Sequence, residues 1–396
     1  MTYPAPSNPS SFRIAIMGIR GVPAAHGGFE SFAERLAPFL AQQGCEVTVY
    51  CQEDGQGAVS RSRWGAVHRV HIPSGSDTPV ASMRFDWSCI SHALKHRPDV
   101  VLILGYNTAA FAARLRLAGI PTLINMDGIE YSRAKWGPLA KAWLYFNERM
   151  GCWLGNDLVA DHPVIANHLA TRVSRRKITT IPYGAEVLPM AEPGPLASLG
   201  LSPQGFATLI ARAEPENSIL EIVRAFSAKR RGIKLVVLGN YQPKQVPFHA
   251  QVMAAASDEV MFPGAIYDAS VVQALRTHGL FYVHGHQVGG TNPSLLEAMG
   301  AGNAVLAHDN AFNRWVAGSG ALYFRDHQSC LNALNQLLNH PSALAQMGHD
   351  NRQRVGQVFV WPQVLTAYAS LLSAVACQTR APRWLKDNSI WKHHRT

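Results

Sequence analysis

The chain has 396 residues, 47% of them hydrophobic and only 16% charged. This composition excludes disorder, collagen-like repeats and coiled coil, and the length gives room for two or three packed domains. With 36 basic and 26 acidic residues the net charge is +10. That points to an anionic partner: a nucleic acid, a membrane face or a phosphate-bearing small molecule.

Six cysteines, at 45, 51, 89, 152, 330 and 377, form no CxxC pair. Neither a zinc site nor a disulfide framework is indicated, and they read as buried hydrophobes in a reducing compartment. The first residues, MTYPAPSNPSSF, are polar and proline-rich and lack the apolar core of a signal peptide. No run of 18 apolar residues occurs. The expected location is the cytoplasm, with attachment to the inner face of the plasma membrane left open.

From residue 13 onward, short apolar runs alternate with helical patterns. RIAIM (13–17) reads as a buried strand, followed by a helix from Gly28 to Gln42. EVTVYC (46–51), VHRVHI (67–72), DVVLIL (99–104) and PTLIN (121–125) continue the strands, with helices over 107–118 and 138–154. This rhythm implies a parallel sheet covered by helices on both faces. The stretch 183–205, with Pro189, Pro193, Pro195 and Pro203, interrupts it and reads as a linker. A second series follows: FATLIA (206–211), IKLVVLG (233–239), EVMF (259–262), LFYVH (280–284) and NAVLAH (303–308), with helices near 217–229 and 293–300. Two doubly wound α/β domains are expected, facing a central cleft. Their expected bounds are 1–185 and 186–360, with a helix over 361–376 packing back on the first and a basic tail over 377–396.

Ligands of open parallel sheets bind beyond the carboxyl ends of the strands, so chemistry is sought in those loops. The first, Gly18 to Glu30, is rich in glycine and opens a helix, which suits an anion. Its spacing is not G-x-G-x-x-G, so NAD is a minor reading although Glu53 and Asp54 follow the second strand. The loop after PTLIN crowds Asp127, Glu130, Arg133, Lys135 and Trp136 at one strand end. A carboxylate there accepts a hydroxyl proton or a sugar hydroxyl, or else the loop is an ordinary polar turn. Arg212 follows the first strand of the second series, placed for a diphosphate or for a surface ion pair with Glu214 or Glu216.

The strongest segment is Val283-His-Gly-His-Gln-Val-Gly-Gly-Thr-Asn-Pro-Ser294, continuing to Glu297. Pro293 opens a helix, and the backbone N–H groups of Thr291 to Ser294 are expected to face an anion, with Glu297 one turn further on. His284 and His286 alternate on a strand without a third ligand, which favours packing or sugar contact over a metal. Residues 380–396 carry a net +4 with Trp384 and Trp391 interleaved. Such a segment suits an anionic lipid surface, a solvated tail or a nucleic acid.

These loops together resemble the retaining nucleotide-sugar glycosyltransferases of family 4, which have the two-domain GT-B fold. IAIMGIRGVPAAHGGFESFAERLAP and NMDGIEYSRAKWG are similar to the N-terminal domain of a bacterial subgroup often labelled rhamnosyltransferases. RAEPENSILEIVRAF, HGHQVGGTNPSLLEAMGAG and VFVWPQVLTAYASLL are similar to the matching C-terminal domain. The resemblance implies that Gly27 and Gly28 approach the donor phosphate and that Arg212 holds the diphosphate beside Gly290, Thr291 and Asn292. It implies a ribose-binding role for Glu297 and a catalytic position near Asp127. Glu130, Arg133, Lys135, His284 and His286 are candidates for sugar or acceptor contact. No cofactor and no metal are implied, since the nucleoside diphosphate sugar is a substrate. The implied acceptor is a growing or polyprenyl-diphosphate-linked glycan, and no nucleic-acid partner is expected. Two positions depart from the family pattern: Gly289 stands where the first glutamate of its pair belongs, and Asn217 where a lysine usually follows the arginine. A nucleotide-sugar epimerase and a non-catalytic glycan- or lipid-binding protein are the rival readings.

Overall fold

The computed structural model of the protein describes residues 12–25, 27–75 and 78–380. Contacts divide the chain into two compact units, one ending at Pro182 and resuming at Pro362, the other spanning Tyr183–Trp361. In the first unit the order is β1 (Arg13–Met17), α1 (Gly28–Gln42), β2 (Glu46–Glu53), β3 (Ser60–Trp64), β4 (Val67–Pro73) and α2 (Pro79–His96). There follow β5 (Val100–Leu104), α3 (Ala113–Leu117), β6 (Thr122–Asn125), α4 (Pro138–Leu154), β7 (Asp157–Ala160), α5 (Pro163–Ala170) and β8 (Ile178–Thr180).

These strands form one sheet in the order β3-β4-β2-β1-β5-β6-β7-β8. At its centre β5, VVLIL, is buried at every position, as a strand covered by helices on both faces must be. The sheet is not wholly parallel, contrary to the sequence reading. β3, which is not among the strands expected from the sequence, pairs antiparallel with β4 at the edge. Its sequence SRSRW carries two arginines, the kind of charge that blunts an open edge. The expected helix over 107–118 is a 3-10 turn, Ala109–Ala112, followed by α3.

The second unit runs β9 (Phe206–Ile210), α6 (Ile219–Ser227), β10 (Lys234–Leu238), α7 (Pro247–Ala254), β11 (Val260–Gly264), α8 (Ala269–His278), β12 (Phe281–His284) and α9 (Pro293–Gly300). It continues with β13 (Ala304–His308), α10 (Ala311–Ala317), β14 (Ala321–Phe324), α11 (His327–Asn339) and α12 (Pro341–Val358). All its strands are parallel, in the order β11-β10-β9-β12-β13-β14. Renumbered from its own first strand this is 3-2-1-4-5-6, the order of Rossmann folds, and β4-β2-β1-β5-β6-β7 repeats it in the first unit.

The stretch 183–205 is not a free linker. Ala185 N–H donates to the Phe359 carbonyl (2.6 Å), Leu188 N–H to that of Gly300 (3.0 Å), and a 3-10 turn at Gly194–Leu199 buries Leu196. The second unit therefore begins at Tyr183 rather than at 186. Prolines here remove N–H groups from a segment that packs irregularly, which sequence alone reads as a hinge.

The last helix, α13 (Trp361–Arg380), groups with the first unit from Pro362 onward. Its Tyr368 hydroxyl accepts from Asn125 Nδ2 (2.7 Å) and its ring packs on Phe32 (4.6 Å). Residues 381–396, most of the basic tail, lie outside the described residues. No helix among the described residues is long and apolar enough to cross a membrane.

Candidate functional site

In each sheet the strand order reverses at one point, between β1 and β5 and between β9 and β12. Crossover connections leave in opposite directions there, which opens a crevice at the carboxyl ends of those strands. Both of these positions are polar.

In the second unit, Arg212 follows β9 and is exposed. Among the described residues its guanidinium has no ion-pair partner, so the surface pair with Glu214 or Glu216 does not form. Its backbone is fixed instead: the Arg212 carbonyl accepts from Glu214 N–H (2.7 Å) and from Asn217 Nδ2 (2.8 Å). Asn217, where the family carries a cation, is thus a buried staple of this loop. The loop is tied to the end of β12. Gln287 Nε2 donates to Ser218 Oγ (2.9 Å), which donates to the Gly285 carbonyl (2.9 Å). A Cβ at Gly285 would lie 2.0 Å from the Asn217 carbonyl oxygen, so only glycine allows the two loops to approach.

Gly289 has φ +145°, a conformation that L side chains rarely adopt. The missing glutamate is therefore more than a side-chain loss, because the backbone itself has a shape that disfavours one. Thr291 is buried. Asn292 caps α9, its Oδ1 accepting from Ser294 N–H (3.0 Å) and Ser294 Oγ (2.8 Å). This corrects the expectation that the N–H groups from Thr291 to Ser294 all face a ligand: Pro293 has none and that of Ser294 is taken. Glu297 forms a short ion pair with Arg276 of α8, yet its side chain keeps 41% exposure, within reach of a ligand.

His284 is 1% exposed, and neither ring nitrogen has a hydrogen-bond partner among the described residues. Burial, then the neighbouring His286 and His308, drive its pKa well below the ordinary histidine range, so the ring is neutral. It stacks on His286 at 4.3 Å and 11°. Among the described residues no three histidine, cysteine or carboxylate side chains converge as metal ligands.

In the first unit, the loop after β1 is pinned to α1, since Glu30 Oε1 accepts from Arg20 N–H (3.0 Å) and Glu34 Oε1 from Ala24 N–H (3.2 Å). A Cβ at Gly27 would come within 2.9 Å of Glu30 Oε2. Gly27 thus makes room for a carboxylate of its own chain at the helix start, while Gly28 opens α1 and is exposed. After β6, Asp127 has φ +48° and its N–H donates to Asn125 Oδ1 (2.9 Å). Glu130 is buried, its N–H donates to the Tyr106 hydroxyl (2.8 Å), and its carboxylate pairs with Arg133 (2.7 Å). Those two candidates satisfy each other. Lys135 is exposed, its ammonium 4.7 Å above the Trp136 ring. The acid that ends β2 has a structural partner, with Glu53 bonded to His71 Nδ1 at 2.7 Å.

At this crevice lies a cavity of about 580 Å³, lined by Arg20, Glu30, Asp86, Thr108, Trp136 and Trp143 among others. Sequence reasoning missed Asp86, Thr108 and Trp143. Asp86 Oδ2 accepts from Thr108 Oγ1 (2.7 Å). Burial raises its pKa to about 6, against the lowering effect of that hydrogen bond. The signal was present: Asp86 falls at helical spacing with the buried Cys89, Ile90 and Ala93, an acid on an apolar stripe.

Residues 27–184 match the model of the glycosyl transferase 4-like domain, and residues 200–354 that of the glycosyl transferases group 1. The chain belongs to the family-4-type glycosyltransferases that these two domains define. No curated protein is significantly similar in sequence. Among solved structures, a sucrose-phosphate synthase from Thermosynechococcus elongatus superposes with TM-score 0.79 at 18% identity, over 93% of this chain and 100% of that one. An alpha,alpha-trehalose-phosphate synthase (UDP-forming) from Burkholderia vietnamiensis follows at 0.73 and 12%, over 95% and 100%. HepE of Anabaena in complex with UDP gives 0.71 and 13%, over 92% and 100%. These likenesses establish the GT-B fold.

Proposed function

We propose that the protein moves a hexosyl or deoxyhexosyl group from a nucleoside diphosphate sugar to a growing or polyprenyl-diphosphate-linked glycan of a cell-surface polysaccharide. L-Rhamnose from its dTDP donor is the favoured form, on the subgroup resemblance. Anomeric configuration is retained and no divalent metal takes part. The carrying observation is Arg212: an exposed guanidinium, without an ion-pair partner among the described residues, at the switch point of the second sheet, in the unit that also holds Glu297 paired with Arg276. The structures of a UDP complex and of a UDP-forming synthase with the same fold support a nucleoside diphosphate donor.

In this reading the bond from the sugar to the diphosphate breaks and its electron pair leaves with the nucleoside diphosphate. The acceptor hydroxyl oxygen forms the new bond to the anomeric carbon, and its proton passes to the departing diphosphate. Charge grows on the departing phosphate, where Arg212 stabilises it with the backbone around Gly290, Thr291 and Asn292. Glu297 accepts from the ribose hydroxyls. In the first unit Asp127 meets the acceptor hydroxyl, and the cavity between Trp136, Trp143 and Asp86 receives the acceptor sugar, an apolar wall with a few convergent polar groups. His286, less buried than His284, takes up the sugar contact that Gly289 cannot make.

The test is ligand-detected NMR against dTDP-, UDP- and GDP-sugars and NAD, followed by transfer assays of R212A and E297A. One nucleotide sugar is expected to bind selectively, and each variant to lose about a hundredfold in transfer with an unchanged circular dichroism spectrum. Wild-type rates in both variants remove this site. Donor conversion without an acceptor makes the protein an epimerase, nucleotide binding without turnover makes it a non-catalytic binder, and binding of NAD alone overturns the reading.

A further inference from the structure

Helices α2, α3 and α4 are neighbours on one side of the first unit, joined through the 3-10 turn Ala109–Ala112. Of the twelve large apolar side chains exposed among the described residues, seven lie on these three helices. Leu117 and Leu139 are 89% exposed and Trp153 56%. On α4, Leu139, Phe146 and Trp153 recur every seven residues, with Ala142 and Arg149 between them, so they form one stripe along the outer face. Solvent-exposed apolar groups in such density mark an interaction surface.

The charges on this face have one sign. The only acids on the three helices are Asp86 and Glu148. Asp86 lines the cavity. Glu148 is 1% exposed and bound to His168 (2.9 Å) and Arg172 (3.2 Å). The cations sit among the apolar groups. The Arg114 guanidinium lies 4.2 Å over the Trp87 ring, and Arg149 lies over Tyr145 while bonding its hydroxyl (2.6 Å). Arg116, exposed, reaches the Leu154 carbonyl (3.3 Å), joining α3 to the end of α4 beside Trp153.

We propose that this face of α2, α3 and α4 docks the protein on an anionic phospholipid bilayer. Leu117, Leu139, Phe146 and Trp153 enter the headgroup–acyl boundary, and Arg114, Arg116 and Arg149 meet the lipid phosphates. Aromatic side chains with a basic rim are what this interface selects. A second copy of the chain is a poorer occupant, because a two-fold contact sets each patch against itself and brings cation to cation. A nucleic acid meets the cations but leaves Leu117 and Leu139 in water. The bilayer satisfies both. The face lies on the unit whose cavity takes the acceptor in the reading above, and it rests on that reading only for its purpose.

The experiment is co-sedimentation of the full chain with vesicles of phosphatidylcholine alone or with one quarter phosphatidylglycerol. Partitioning is expected to be at least about tenfold stronger on the anionic vesicles. The triple variant L139E/F146E/W153E loses it, while UDP binding at the second unit is retained. R116Q/R149Q keeps the apolar stripe and loses the preference for anionic lipid. Triple-variant binding equal to wild type overturns the proposal and leaves attachment to the C-terminal segment. Wild-type protein that ignores both vesicles overturns it too, as does a wild-type dimer that the triple variant abolishes. Vesicle binding without sugar transfer sinks only the enzymatic reading, and transfer without vesicle binding sinks only this one.

Discussion

Asp86 sits half-buried beside the apolar stripe of α2, where a carboxylate is costly to ionise. Its pKa rises from 3.8 to about 6 by burial, which corresponds to about 3 kcal/mol at full effect. The sign follows from the raised value. Below pH 3.8 both folded and unfolded chains hold the proton and there is no cost. Between 3.8 and 6 only the unfolded chain ionises, and above 6 the whole cost stands. D86N removes the charge and keeps an acceptor for Thr108. Urea unfolding should find it more stable than wild type by up to about 3 kcal/mol at pH 8, with the difference vanishing near pH 3.5. Equal stability at pH 8 would show that Asp86 carries no such burden. If Asp86 serves the acceptor cavity of the proposed function, its removal should lower transfer as stability rises. In the sequence Arg212 and Glu297 were legible because each follows a strand or opens a helix at a predictable place. Asp86 is less legible, since its place on an apolar stripe shows only once 79–96 is taken as one helix. The backbone at Gly289 was out of reach: sequence shows a glycine, and only coordinates show φ +145°.

Between elements, the close approach of the Arg212 loop and the end of β12 depends on a missing Cβ. In G285A the new methyl falls 2.0 Å from the Asn217 carbonyl oxygen, which is backbone and cannot swing away. Overpacking of this kind costs about 1–3 kcal/mol or more, and a unit of this size loses about 2–4 °C per kcal/mol. Calorimetry should show the second unit melting several degrees lower, with donor affinity weakened because the Arg212 carbonyl and Gly285 share one network. G137A is the control, since nothing lies within 4 Å of a Cβ there. If both variants melt like wild type, the loops are looser than their contacts indicate. The inner strands were readable as apolar runs because parallel strands covered on both faces need them. β3 was not, for an edge strand of serine and arginine has no apolar signature. The proline-rich 183–205 misled for a related reason: composition reports missing regular structure, while Leu196 and the bonds of Ala185 and Leu188 report packing.

Each unit has its own sheet and its own buried core, and the 3-2-1-4-5-6 order recurs in both, so each has the anatomy of a domain that folds on its own account. Of the residues assigned to the donor, Arg212, Gly290, Thr291, Asn292 and Glu297 lie in the second, as do the groups that fix them, Asn217, Ser218, Arg276 and Ser294, and only Gly27 and Gly28 lie in the first. A ligand that binds only one domain stabilises only that domain, by an amount set by its concentration over its dissociation constant. At a hundredfold excess the gain is about 2.7 kcal/mol, or about 5–10 °C for a unit of this length. Scanning calorimetry of the wild-type chain should therefore resolve two transitions, of which UDP or dTDP raises one and leaves the other in place. G285A identifies that transition independently, since it lowers the melting of the second unit without touching the first. The decisive pattern is that the peak moved down by G285A is the peak moved up by nucleotide. A nucleotide that raised the other peak would put the donor on the first unit, against Arg212 and Glu297 together.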